Sequence, residues 1–104
     1  MSRRLRPGAR DYFILKPRHS AFYATSLVPL LEDLGVEELV LAGMATNLCV
    51  LFSAHDAYMR KYRVTVLSDC CAAENDFDHD VALKQLERFC GARVCLGEEY
   101  GFKA

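Results

Sequence analysis

The sequence predicts an α/β fold, a three-layer α/β/α sandwich on a parallel sheet. Two observations carry this. Short apolar runs without polar alternation recur along the chain, the pattern of strands buried on both faces. Between them lie segments with apolar residues at helical spacing, and strands joined through helices pair in parallel. The order reads β-α-β-α-β-α-β, with right-handed crossovers expected.

The first strand is the apolar run Tyr12 to Leu15. Pro17 pushes Lys16 into extended backbone and ends it there. Leu27, Leu30, Leu31 and Leu34 follow at helical spacing, and Gly35 is a natural C-terminal cap. Pro29 falls in the first turn of this helix, where its missing N–H is tolerated. Glu38 to Ala42 is the second strand, closed by Gly43. A helix is expected from Thr46 to about Arg60, with Thr46 or Asn47 as cap. Its buried face would use Cys49, Val50, Phe52, Ala54 and Ala57. Arg63 to Leu67 is the third strand, ended by Ser68-Asp69. Asp76 or Asp78 is expected to cap a helix that buries Val81, Leu83, Leu86 and Phe89 and ends at Gly91. Arg93 to Leu96 is the fourth strand.

Composition sets bounds. One domain over residues 1–104 is expected from a chain of 104 residues. Apolar content of 52% with 26% charged residues is that of a globular protein. The net charge of −1 gives no reason to expect nucleic acid as a partner. No apolar run is long enough for a transmembrane helix, so no membrane partner is expected. The Arg-rich start MSRRLRPGAR lacks the apolar core of a secretory signal and the length and serine content of a transit peptide. The five cysteines, Cys49, Cys70, Cys71, Cys90 and Cys95, form no CxxC or CxxH spacing, so no metal site and no cofactor are expected. Cys70 and Cys71 read as buried thiols. Free thiols beside apolar segments point to a reducing compartment, the cytoplasm.

Chemistry concentrates at one sheet edge. In open α/β sheets, ligands bind at the carboxyl ends of the strands. Lys16, the Gly43–Cys49 turn and Asp69 all fall there. Cys49 would sit in the first turn of its helix, where free N–H groups and the helix dipole stabilise a thiolate. The same N–H groups can hold a developing oxyanion. A packed hydrophobe is the competing reading of Cys49, and a solvated strand end that of Lys16. His55 reads as a local packing or bonding residue. His79, within Asp76 to Asp80, reads as part of a solvated helix start, and Asp69 as a turn or cap residue.

The stretches Leu15-Lys16-Pro17-Arg18-His19-Ser20-Ala21-Phe22 and Gly43-Met44-Ala45-Thr46-Asn47-Leu48-Cys49-Val50 resemble motifs of the isochorismatase-like cysteine hydrolases. Ser53 to Ala57 and Leu67 to Ala72 match too. The superfamily includes nicotinamidases, N-carbamoylsarcosine amidohydrolases and ureidoacrylate amidohydrolases. The resemblance implies an α/β/α sandwich around a six-stranded parallel sheet. It implies Cys49 as nucleophile and Lys16 as catalytic lysine. It also implies a cis peptide at Met44–Ala45, with the N–H groups of Ala45 and Cys49 forming the oxyanion hole. His19, Phe22 and Thr46 would line the substrate. The family's third catalytic residue, an Asp on its first strand, would precede residue 1. The chain therefore reads as an N-terminally truncated domain, the C-terminal portion of the fold, with an apolar sheet edge left exposed.

Two functions follow. One is a cysteine-dependent hydrolase of amide or ureido C–N bonds in a small molecule, acting through a thioester on Cys49 and forming a homo-oligomer. The other is a catalytically incompetent fragment or associating domain that lacks the triad Asp. A thiol redox protein is disfavoured because no second Cys is spaced near Cys49.

Overall fold

In the computed structural model, which describes residues 8–101, a three-stranded parallel sheet is flanked by three helices. The elements are α1 (Leu27–Leu34), β1 (Glu38–Met44), a π-helical turn (Thr46–Val50) running into α2 (Leu51–Met59), β2 (Arg63–Ala72), α3 (Asp76–Cys90) and β3 (Arg93–Cys95). The strand order is β1-β2-β3. α2 and α3 pack on each other and on β2, as two like-handed crossovers stepping in one direction require.

Local rules account for most boundaries. α1 stops where Gly35 turns left-handed at φ 66°, its N–H bonding Glu32 O at 3.1 Å. Gly91 ends α3 in the same conformation, at φ 61°. The start of α3 differs from expectation. Asn75 is the cap, its Oδ1 accepting the Asp78 N–H at 2.8 Å, while Asp76 and Asp78 occupy the first turn and face the helix dipole.

The expected strand Tyr12–Leu15 does not form. A four-residue run holds as a strand only against a hydrogen-bonding neighbour, and among the described residues none lies beside it. Tyr12, Phe13 and Leu15 are exposed. Among the described residues β1 is consequently an edge strand, paired by β2 alone. Its side chains Leu39, Val40 and Leu41 are half-buried and Met44 is 76% exposed, so the edge is apolar and open, as expected.

β2 runs five residues past its expected end at Leu67. Leu41 pairs with Val66, but Gly43 pairs with Cys71, so β2 carries an irregularity between these pairs. Leu67 pairs with Cys95 of β3. Asp69 is therefore a strand residue rather than a turn, and it accepts the Gly97 N–H at 2.8 Å. Cys70 is exposed and Cys71 half-buried, against the expectation of two buried thiols, because β3 has only three residues and covers little of this stretch.

The core gathers around Val64 and Val66 of β2. Val50 at the end of the π-helical turn, Ala54 and Ala57 of α2, Leu83, Leu86 and Cys90 of α3, Ala92 after it, Leu31 of α1 and Phe22 complete it. Val81, Phe89 and Phe52, expected inside, are exposed. Ala82 and Cys90 are buried in α3 instead. The small alanines let the helices approach the sheet closely.

Candidate active site

The carboxyl end of β1 is a tight turn. Gly43 takes φ 124°, which only glycine adopts readily. The Met44–Ala45 peptide is cis. Ala45 O then accepts two N–H groups, from Leu48 at 3.1 Å and from Val50 at 3.2 Å. The second bond spans five residues and makes the opening a π-helical turn. Ala45, in extended backbone, is the N-cap, so neither Thr46 nor Asn47 caps as expected. Cys49 lies inside this turn, half-buried.

Lys16 reaches this turn from outside the sheet. Its Nζ lies 3.1 Å from Cys49 Sγ and 3.2 Å from Arg18 O. The segment that carries it is fixed by side-chain bonds to α2 and to itself. Ser20 Oγ donates to Asp56 Oδ2, Ser53 Oγ accepts the Ala21 N–H at 2.9 Å, and Thr25 Oγ1 donates to Ala21 O at 2.6 Å. The sequence placed Lys16 at a strand end. The structure brings it to Cys49 through an irregular arm instead.

The remaining candidates separate. His19 Nδ1 stands 3.9 Å from Cys49 Sγ, and its ring stacks on Phe52 with centroids 5.8 Å apart. Phe22 is buried, with the Arg60 guanidinium 5.4 Å from its ring centroid, yet it also lines a groove of about 300 Å³. Lys16, Leu39, Leu41, Met44 and Cys49 line the same groove. It is the open side of β1. Thr46 does not line it: its side chain is wholly buried and its Oγ1 is 2.7 Å from His79 Nδ1. The contact also brings in His79, whose place in the α3 start reads from the sequence as solvated. Helix starts in a parallel sheet share the edge where strands end, and that rule applied to α3 would have included it.

Other groups stay apart from the thiol. His55 is held between Gln85 Nε2 at 3.0 Å and Cys90 Sγ at 3.2 Å. Among the described residues, no three His, Cys, Asp or Glu side chains converge as a metal set would. Two clefts of about 640 Å³ are larger than the groove. They lie around Glu37, Arg63 and Arg93 at the amino ends of the strands, away from the edge where such sheets bind ligands.

Electrostatics mark Asp69 and its neighbours. The Gly97 N–H holds the Asp69 carboxyl below the usual range, and the Cys70 thiol hydrogen bond adds to this. Desolvation pushes the thiols of Cys70 and Cys71 up, with the Asp69 charge contributing to both. A depressed folded-state pKa gives stability that is fully present above the unfolded value of about 3.9. That stability is lost as pH falls through the folded value. Asp69→Asn is expected to flatten the acid limb of the stability curve below about pH 4. Urea unfolding of both proteins across that range checks it.

An α/β domain with a lysine and a cysteine paired at the carboxyl edge of its sheet defines a narrow class. The chain belongs to the isochorismatase domain family, whose model matches residues 2–99. It is 44% identical to the uncharacterized isochorismatase family protein YaaI of Bacillus subtilis over 96 residues, 92% of this chain and 53% of that protein. It is 39% identical to the ureidoacrylate amidohydrolase RutB of Yersinia enterocolitica over 88 residues, 84% of this chain and 38% of that protein. The solved isochorismatase-like hydrolase of Alkaliphilus metalliredigens superposes with a TM-score of 0.90 at 34% identity, over 95% of this chain and 54% of that one. The chain thus spans about half the length of these relatives or less. Among the described residues no helix is long and apolar enough to cross a membrane.

Proposed function

We propose that this chain is the thiol-bearing part of a hydrolase that cleaves amide or ureido C–N bonds in a small molecule. The observation that carries the reading is the Lys16 ammonium 3.1 Å from Cys49 Sγ, at a helix opening and beside an apolar groove. The ureidoacrylate amidohydrolase among the relatives supports the bond type. The Cys49 thiolate attacks the carbonyl carbon, and the N–H groups of Ala45 and Cys49 hold the oxyanion. The C–N bond breaks, the amine leaves with a proton, and a thioester remains on Cys49. Water then releases the acid and returns the thiol. Lys16 offers the attacking sulfur a charge-assisted hydrogen bond. The resemblance assigns the proton relay to an Asp on a strand outside this sequence. Five unpaired cysteines suit a cytoplasmic location, and the open β1 edge suits a homo-oligomer.

The test is ammonia release from a panel of small amides and ureido acids that includes ureidoacrylate, alongside iodoacetamide alkylation of Cys49. Lys16→Met is expected to slow Cys49 alkylation by about tenfold and to remove any hydrolysis. A Cys49 that reacts at the same rate with and without Lys16 would sink the proposal.

One observation favours the second reading, an associating domain. Among the described residues β1 has a free hydrogen-bonding edge beside an apolar groove, which fits a strand supplied by another polypeptide segment. Under that reading the chain releases no ammonia alone and gains activity only when the segment is provided.

A further inference from the structure

We infer that His79 is a positioning residue for the Cys49 thiol, acting through the hydroxyl of Thr46. The inference rests on the reading of Cys49 as nucleophile. A buried hydroxyl must find a partner. The wholly buried Thr46 has His79 Nδ1, at 2.7 Å. This bond joins two elements that the chain builds separately, the turn that closes β1 and the first turn of α3. Thr46 opens the π-helical turn, and Cys49 lies three residues on in the same turn. Fixing one Cα in so short a turn fixes the other. α3 can serve as the anchor because Asn75 caps it and Ala82, Leu83, Leu86 and Cys90 bury its inner face.

The sulfur is therefore constrained twice. Lys16 approaches it on the arm, and α3 holds the turn beneath it through Thr46. A reacting atom needs such support, since a misplacement of about 1 Å can cost about a hundredfold in rate. Either imidazole tautomer makes the bond: the Thr46 hydroxyl donates to a bare Nδ1, or an Nδ1–H donates to Oγ1. The role needs no proton transfer and no contact with substrate.

The test is iodoacetamide alkylation of the whole chain at neutral pH, read peptide by peptide, with exposed Cys70 as internal reference. His79→Leu and Thr46→Val are each expected to slow Cys49 by about tenfold and to leave Cys70 unchanged. The double variant should be no slower than either single, because both remove one bond. His79→Asn, whose amide can take the place of Nδ1, should keep most of the wild-type rate. An unchanged Cys49 rate in His79→Leu overturns the inference, as does a parallel change at Cys49 and Cys70. If His79→Leu fails to fold, an unchanged rate in Thr46→Val overturns it equally. Lys16→Met separates this inference from the proposed function. If it leaves Cys49 alkylation unchanged, the thiol chemistry itself fails. If it slows Cys49 while His79→Leu does not, only the role of His79 fails.

Discussion

Under the proposed function, Cys49→Ala is expected to remove hydrolysis entirely, by more than about 10⁴-fold, because the substitution would delete the atom proposed to form the thioester. Stability should barely move. Cys49 is half-buried and lies at the rim of the groove rather than in the core cluster. Losing one sulfur there costs far less than losing a core methylene group. The measurement is ammonia release together with thermal unfolding of the same preparations. Retained turnover with an unchanged melting curve would refute a nucleophilic role for this residue. Cys49→Ser is a useful companion, since its hydroxyl gains little from the Lys16 contact and should be nearly as inactive.

Leu86→Ala is expected to have the largest effect on stability. Leu86 is fully buried and among the largest side chains so enclosed, in the cluster with Val66, Ala54, Ala57 and Cys90. Deleting its branch leaves a cavity between α3 and the rest of the core, at a cost of about 2–5 kcal/mol. Domains of this size have about 5–15 kcal/mol in total, so the melting temperature should fall by roughly 10 °C or more. Phe77→Ala is the control: that ring is 75% exposed and its loss should be nearly neutral. Equal shifts for the two variants would mean that α3 is not seated as described.

The periodic elements were legible. α1 and its glycine cap, β1, and the end of α3 at Gly91 follow from spacing and from residues with a single physical use. The turn with Cys49 was legible in position, since a strand end followed by a helix start needs only local rules. Lys16 was legible as a partner on the same edge, but its mounting was not. Tyr12 to Leu15 has strand composition, yet ladder bonds come from a neighbour and not from composition. Cys70 escaped for a related reason, because its exposure depends on β3 being short. The Asn75 cap was open to local reasoning, since Asn ranks with Asp at that position. The Thr46–His79 bond was out of reach. It joins residues 33 positions apart and requires the docking of α3 against the β1 turn.

The arm that bears Lys16 has a consequence for time scales. From Gly8 to Ser26 the chain has no strand pairing; Ser20 and Ala21 bond to α2 and Phe22 is buried in the core, but among the described residues nothing comparable holds the stretch before Ser20. Segments of this kind open without global unfolding, at a fraction of its free energy. If the part of the arm before Ser20 lifts, the sulfur loses Lys16 and His19 together while Phe22 stays in the core. The arm is therefore expected to exchange, within the folded state, between a form with Lys16 beside Cys49 and a form without that contact. A ligand that bridges Lys16 and Cys49 selects the first by mass action. Its signature is slower amide hydrogen exchange confined to the arm.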